Sequence, residues 1–295
     1  MAGVVRSRGT DGVSARDEER LRRYREYLDF YEGRHFARPR RGRTNLVLNY
    51  ARAVVDKGVS YLLGRGVTFG VEPETPDQAE ETRARRAAAL LREVYEENAL
   101  DAVDLQAAIN GAVLGDTVFK VFWDDEEERI RVVNVDPMRF FARWAPDDLS
   151  KLRQVAVVWR ATPAELELLG LRAGGVGQVV ERWTASEWSL EVDGRRARGG
   201  PNPYGFIPFV HIPNLAPPNE FWGISDLRDV IPLNRELNER MSDQADIIRY
   251  HADPPVVFRG VEGRTDLPVG PGTVWEIPPD ADVKLLEWHG QPVAV

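Results

Sequence analysis

Four histidines (His35, His211, His251 and His289) and no cysteine are all that this 295-residue chain offers for soft metal ligation or thiol chemistry. No two histidines share the i,i+4 spacing that puts two imidazoles on one helical face, and no thiolate can complete a zinc shell. His211 falls in the apolar run IPFVHIP, where a hydrogen-bonded structural histidine is the expectation. Neither G-x-S-x-G nor G-x-x-x-x-G-K-[ST] occurs, so serine hydrolysis and direct ATP use have no support. Gly64, Gly66 and Gly70 follow a helical pattern instead of joining a strand to a helix, and read as a cap and turn. The acidic run Asp124 to Glu128 lacks the spaced ligands and turn glycine of a calcium loop and reads as a solvated turn. With 47 acidic residues, carboxylate pairs arise by chance. A metal-dependent nuclease built around Glu187, Glu191 and Asp193 is the alternative they leave open. The sequence therefore nominates no catalytic residue, no metal ligand and no cofactor.

Charge narrows the partners. A net charge of -8 opposes simple adhesion to nucleic acid. One basic loop, RHFARPRRGR from Arg34 to Arg43, runs against that balance. Its default is solvation, and its functional reading makes Arg40, Arg41 and Arg43 contacts for DNA phosphates or an acidic partner. A monomeric nucleic-acid-binding module is the reading that rests on this loop alone. No apolar run approaches the length of a membrane span and no signal-peptide pattern opens the chain, which makes the cytoplasm the default compartment and a membrane partner unexpected.

Periodicity supplies the elements. Residues 1–13 carry none and read as a mobile tail. Leu21, Tyr24, Leu28 and Tyr31 mark one helical face closed by Gly33. Asn49 caps a helix to Leu63 with Val54, Val55, Val59, Leu62 and Leu63 apolar, and Gly64 as its C-cap. Thr75-Pro76-Asp77-Gln78 reads as a capping box opening a helix to Asn98, and Leu100 to Leu114 as a helix stopped by Gly115. From Thr117 the period becomes two. Val118 to Trp123 and Ile130 to Val135 read as a hairpin, with Phe140 to Trp144 and Val155 to Trp159 continuing the same sheet. Thr162 opens a second capping box for a short helix ending at Gly170. Gln178 to Trp183 and Trp188 to Val192 form another hairpin before a glycine-rich turn, Gly194 to Gly200.

Beyond an apolar, proline-rich run (Phe206 to Pro213) and a hinge, the sequence predicts a long helix from Asp226 to His251, capped by Ser225 and ended by Pro254-Pro255. At about 1.5 Å per residue it spans roughly 39 Å. Leu227, Val230, Ile231, Leu237, Met241, Ala245 and Ile248 share one face, interrupted by Asn234 and Asn238. Asp229, Glu236, Glu239, Asp243 and Asp246 fall opposite, with Arg240 as the exception. Pro232 lies about two turns in and predicts a bend. Two arrangements fit: a bent helix packed on one core, or a helix beside copies of itself. Short strands are predicted at Val256 to Arg259, Thr273 to Ile277 and Val283 to Trp288.

Several segments, in order, carry a resemblance: FYEGRH…TNLVLNYARAVVDKGVSYLLGRGVTF, GDTVFKVFWD…VVNVDPMRFFARW, NPYGFIPFVHIPN, PNEFWGISDL and IPLNRELNERMSDQADIIRYHADPP. Together they resemble the portal proteins of tailed bacteriophages from about Tyr31 to Val295, weakly near residues 71–98 and 163–200. The resemblance implies an α+β portal-protein fold. Residues 1–224 would be a wing of helices and antiparallel sheet, 225–252 the stem helix and 253–295 the start of a small α/β clip. The crown region expected after the clip is missing, so the chain reads as a C-terminally truncated member. The resemblance further implies a dodecameric ring at the procapsid vertex. Double-stranded DNA would pass through it, and its partners would be the terminase large subunit, scaffold or major capsid protein and a head-completion adaptor. The expected location is the virion, and the host cytoplasm during assembly. In that ring Asp229, Glu236, Glu239, Arg240, Asp243 and Asp246 are channel-facing candidates, and Leu237, Met241 and Ile248 are subunit-contact candidates.

Overall fold

A computed structural model describes residues 15–36, 38, 42–64, 66–171, 175–252, 256–259 and 279–285. The chain divides into two compact units, Met1–Arg34 with Asn49–Pro232, and His35–Leu48 with Leu233–Val295. Its class is α+β, mixing helices with antiparallel sheets.

Helices α1 (Ala15–Tyr31), α2 (Tyr50–Leu63), α3 (Gln78–Glu97) and α4 (Leu100–Leu114) open the first unit. Tyr24, Tyr27 and Phe30 of α1, Ala51, Val55 and Val59 of α2, and Val113 and Leu114 of α4 bury together with Leu227 and Ile231. The α1 stripe is shifted from the predicted one, because Arg20, Tyr24, Tyr27 and Phe30 face inward while Leu28 is only half-buried. On α2 the cap at Asn49 is where the sequence puts it, its side chain accepting from the Arg52 N–H. Val54 and Leu62, expected in the apolar face, are exposed instead. The α3 cap moves two residues on, from Thr75 to Asp77. The Asp77 carboxylate accepts from the N–H groups of Ala79 and Glu80, and Thr75 donates to it. Those two bonds pull the carboxyl below its ordinary pKa, as does the threonine hydroxyl.

α4 ends at Gly115 with φ +94°, and a Cβ there would lie 2.8 Å from the backbone nitrogen of Ser225. Only glycine meets both demands. The chain turns at once into β1 (Asp116–Asp124), which pairs antiparallel with β2 (Arg129–Asn134) and with β8 (Phe209–Pro213) in a three-stranded sheet.

β3 (Phe140–Ala145) and β4 (Asp148–Ala161) do not continue that sheet. They begin a separate five-stranded antiparallel one, completed by β5 (Gly177–Trp183), β6 (Glu187–Val192) and β7 (Arg195–Pro201). β7 replaces the predicted glycine-rich turn. The open edge of β6 leaves backbone groups to pair, and pairing outweighs the poor strand propensity of Gly199 and Gly200. The short α5 (Pro163–Leu168) carries the full Thr162–Glu165 capping box. Val118, Phe140, Val155, Val157, Trp183, Phe209 and Phe221 fill a core holding residues of both sheets. Lys120 of β1 ion-pairs with Glu181 of β5 at its margin.

Helix α6 (Val230–Ala252) starts later than predicted and holds 23 residues, about 34 Å of helix. Residues 226–229 form a turn closed by i→i−3 bonds, Arg228 N–H to Ser225 and Val230 N–H to Leu227. Pro232 is therefore the third residue of α6, not a mid-helix kink. The N–H it lacks is one of those a helix start leaves unpaired. Ser225 caps that turn, its Oγ accepting from the Leu227 N–H while donating to the Val113 carbonyl. In the second unit α6 is followed by β9 (Val256–Arg259) and β10 (Asp282–Leu285), an antiparallel pair. The predicted tail (1–13), the Pro254-Pro255 stop and the strand at 273–277 lie outside the described residues.

Candidate functional site

In the second unit, residues 44–48 lie along one side of α6, and four helix side chains read their backbone. Thr44 donates its N–H (2.9 Å) and its hydroxyl (2.6 Å) to the Asp246 carboxylate. The Leu46 N–H donates to Ser242 Oγ at 2.9 Å, and the Leu48 N–H to Asn238 Oδ1 at 2.9 Å. Asn234 closes the series by donating to the Leu48 carbonyl at 2.9 Å. Two residues of extended chain advance about 6.6 Å and four residues of helix about 6.0 Å, so every second N–H meets every fourth side chain. The segment runs antiparallel to the helix, since numbers rise along one as they fall along the other.

This ladder explains the residues that break the apolar face of α6. Asn238 and Ser242 are completely buried, and Asn238 also bonds His35 Nδ1 at 2.6 Å. A buried amide survives only when its groups are paired, and here the backbone of residues 44–48 supplies the partners. Asp246 belongs to the ladder, not to the charged face. It is 8% exposed, accepts from Thr44 and pairs with Arg249 at 3.3 Å, which corrects its expected channel-facing position. Arg249 also reaches the Gly42 carbonyl.

The remaining candidates, on α6 and in the turn before it, take no part in the ladder. Asp229, Glu236, Glu239 and Arg240 are exposed and Asp243 is half-buried, with Arg240 donating to Glu236 at 2.7 Å. Leu237 and Met241 are half-buried, and Ile248 is 59% exposed. Leu233 (73%) and Ile247 join it as apolar side chains that their own chain leaves uncovered. Arg43 is exposed, while Arg40 and Arg41 lie outside the described residues.

A second buried polar group occupies the first unit. Asp116, fully buried, accepts from the Tyr24 hydroxyl, from His211 Nε2 (2.7 Å) and from the Gly223 N–H (2.9 Å). His211 is thus the structural histidine expected of it, stacked on Phe221. Burial, reinforced by the Asp116 charge, pushes the Tyr24 hydroxyl well above the usual tyrosine pKa. Nearby Ser225 spends its hydroxyl on the Ala112 and Val113 carbonyls, so it does not form a nucleophile–base pair with His211. The three acids of the nuclease alternative do not converge on a metal site. Glu191 pairs with Arg182, Asp193 accepts from the Gln178 N–H, and no cluster with metal-holding geometry occurs among the described residues.

The sequence alone does not display the ladder, although Asn234, Asn238, Ser242 and Asp246 recur at intervals of four. A spacing of four puts side chains on one side of a helix, but it does not name the segment they hold, which lies 186 to 202 residues away.

Helices and antiparallel sheets in one unit, and a long, largely exposed helix laddered to a distant segment in the other, define an α+β scaffold. The phage portal protein family described as SPP1 Gp6-like matches residues 11–290, nearly the whole chain, and the chain belongs to that family. Portal proteins are structural and not enzymatic. No curated protein matches the sequence. Among the described residues no helix is long and apolar enough to cross a membrane.

Proposed function

We propose that this chain is a portal subunit that assembles, as a dodecamer by family resemblance, into a ring through which DNA passes at the capsid vertex. Residues 225–252 act as the stem helix beside their own copies, 1–224 as the wing and 253–295 as the start of the clip. Asp229, Glu236, Glu239 and Asp243, with Arg240 among them, face the channel. Leu237, Met241 and Ile248 meet the neighbouring subunit. The observation that carries this reading is the division of α6 itself. One side is sealed by a polar ladder to its own chain, while its charged side and Leu233, Ile247 and Ile248 stay open.

The physics of conduction agrees with that division. DNA that must slide cannot be held by many Lys or Arg contacts, because each releases counterions and adds affinity. Carboxylates around a channel repel phosphates from every side and carry no sequence readout. During filling the ring engages the terminase large subunit, with scaffold or major capsid protein around it, and later a head-completion adaptor. It resides in the virion, and in the host cytoplasm during assembly. Arg43, exposed beside the end of the ladder, is placed for a phosphate or an acidic partner.

Charge reversal at Glu236, Glu239 or Asp243 tests the channel assignment. Packaging in an in vitro terminase assay slows, and slows most at low salt where screening is weakest. Variants that package at the parental rate at low salt would show that these carboxylates do not face DNA.

A further inference from the structure

A cavity of about 600 Å³ opens in the first unit between α1 and the 217–228 segment, lined by four arginines, Arg16, Arg20, Arg23 and Arg228, and by Tyr24 and Trp222. Three carboxylates also line it, Asp116, Glu19 and Glu220. Asp116 is taken up by Tyr24, His211 and Gly223, Glu19 bonds to Arg22 and lies 3.8 Å from Arg23, and Arg228 pairs with Asp229 at 3.2 Å. Arg16 is exposed and has no ion pair among the described residues. Arg20 is the built element. Its side chain is only 4% exposed, and its guanidinium stacks 3.9 Å over the Trp222 ring, donates to the Pro137 and Phe140 carbonyls and pairs with Asp17 at 3.3 Å. Its Nε, buried, has no hydrogen-bond partner among the described residues. Arg16, exposed, and Arg23, also exposed and held only by the 3.8 Å pair to Glu19, are suited to carboxylates.

The same unit carries a group of matching chemistry. The turn between β1 and β2 presents Asp125, Glu126 and Glu128, all exposed and without ion pairs among the described residues. Trp123 at its base is 47% exposed, and Val121 two residues before it lies on the same side of the strand. Identical subunits closing into a ring must meet head to tail, through two different and complementary patches on each chain. We propose that the acidic β1–β2 turn of one copy seats in the arginine-lined cavity of the next. This contact rests on the ring reading above and names where, away from α6, the copies join. Trp123 supplies apolar area at the seat and the carboxylates meet Arg16 and Arg23.

The test reads ring formation by native mass spectrometry of the full chain, with thermal melting as the folding control. Arg16→Glu with Arg23→Glu, and separately Asp125→Lys with Glu126→Lys, each raise the concentration needed for assembly at least tenfold without shifting the melt. The four changes combined restore assembly towards the parental value, because the reversed charges again attract. If the parent forms rings and either pair of reversals leaves assembly unchanged, or the combination fails to restore it, this contact is wrong and the ring reading stands. A parent that stays monomeric removes the ring reading and the contact with it.

Discussion

Asn238 illustrates how much of this chain rests on single polar side chains. Its Oδ1 takes the Leu48 N–H and its amide nitrogen meets His35, with Asn238 itself out of contact with water. Asn238→Ala leaves the part-buried Leu48 N–H and the buried His35 ring without this partner, a change worth about 1–3 kcal/mol. The expected outcome is a lower urea midpoint for the second unit and faster amide exchange at Leu48; unchanged exchange there would mean that the ladder does not hold the segment. Tyr24 gives a pH signature. Its pKa is raised in the folded chain, so the stability it supplies is fully present below the unfolded value of about 10 and is lost as pH rises from there towards the folded value. Tyr24→Phe should therefore flatten the alkaline arm of a stability–pH curve and leave its neutral region nearly parallel to the parent. An alkaline arm as steep as the parent's would assign the loss to other groups. At this scale the sequence spoke clearly where chemistry is local. Asn49, Thr162 and Gly115 bond or turn within a few residues, and each cap lies where its type predicts. Asp116 and His211 are 95 residues apart, and no local pattern joins them.

Among the elements, α6 is where expectation and structure part most usefully. Its length and its charged side were legible from a 3.6-residue period. Its start was not, because the turn at 226–229 and Pro232 look helical in sequence while the bonds actually made are i→i−3. The stripe facing its own chain is also rotated from the apolar one, towards Asp246, since a backbone segment and not an apolar core covers it. The apolar residues left open follow from that rotation. Ile248→Glu, at a site 59% exposed, should change monomer stability by no more than about 0.5 kcal/mol while abolishing assembly. Thermal melting and light scattering together check it; a variant that assembles normally would free Ile248 from the subunit contact. β7 went unread for the opposite reason. Its glycines and arginines favour a turn locally, and only the waiting edge of β6 makes it a strand.

For the whole molecule, the α+β class and the order of nearly all elements follow from caps, periods and turns, and the portal family match spans residues 11–290. The division into two units was less accessible, because residues 35–48 belong with a helix that begins almost 200 positions later. The proposed ring adds a demand that a single chain cannot display: in that reading the open side of α6 finds its neighbours in copies of itself. Electron microscopy of particles assembled from the full chain is the most direct measurement of that. The account predicts closed rings with α6 around a central hole, Glu236, Glu239 and Asp243 turned towards the lumen and Ile248 against the adjacent copy. Rings in which α6 lies on the outer wall, or particles with no central opening, would contradict it.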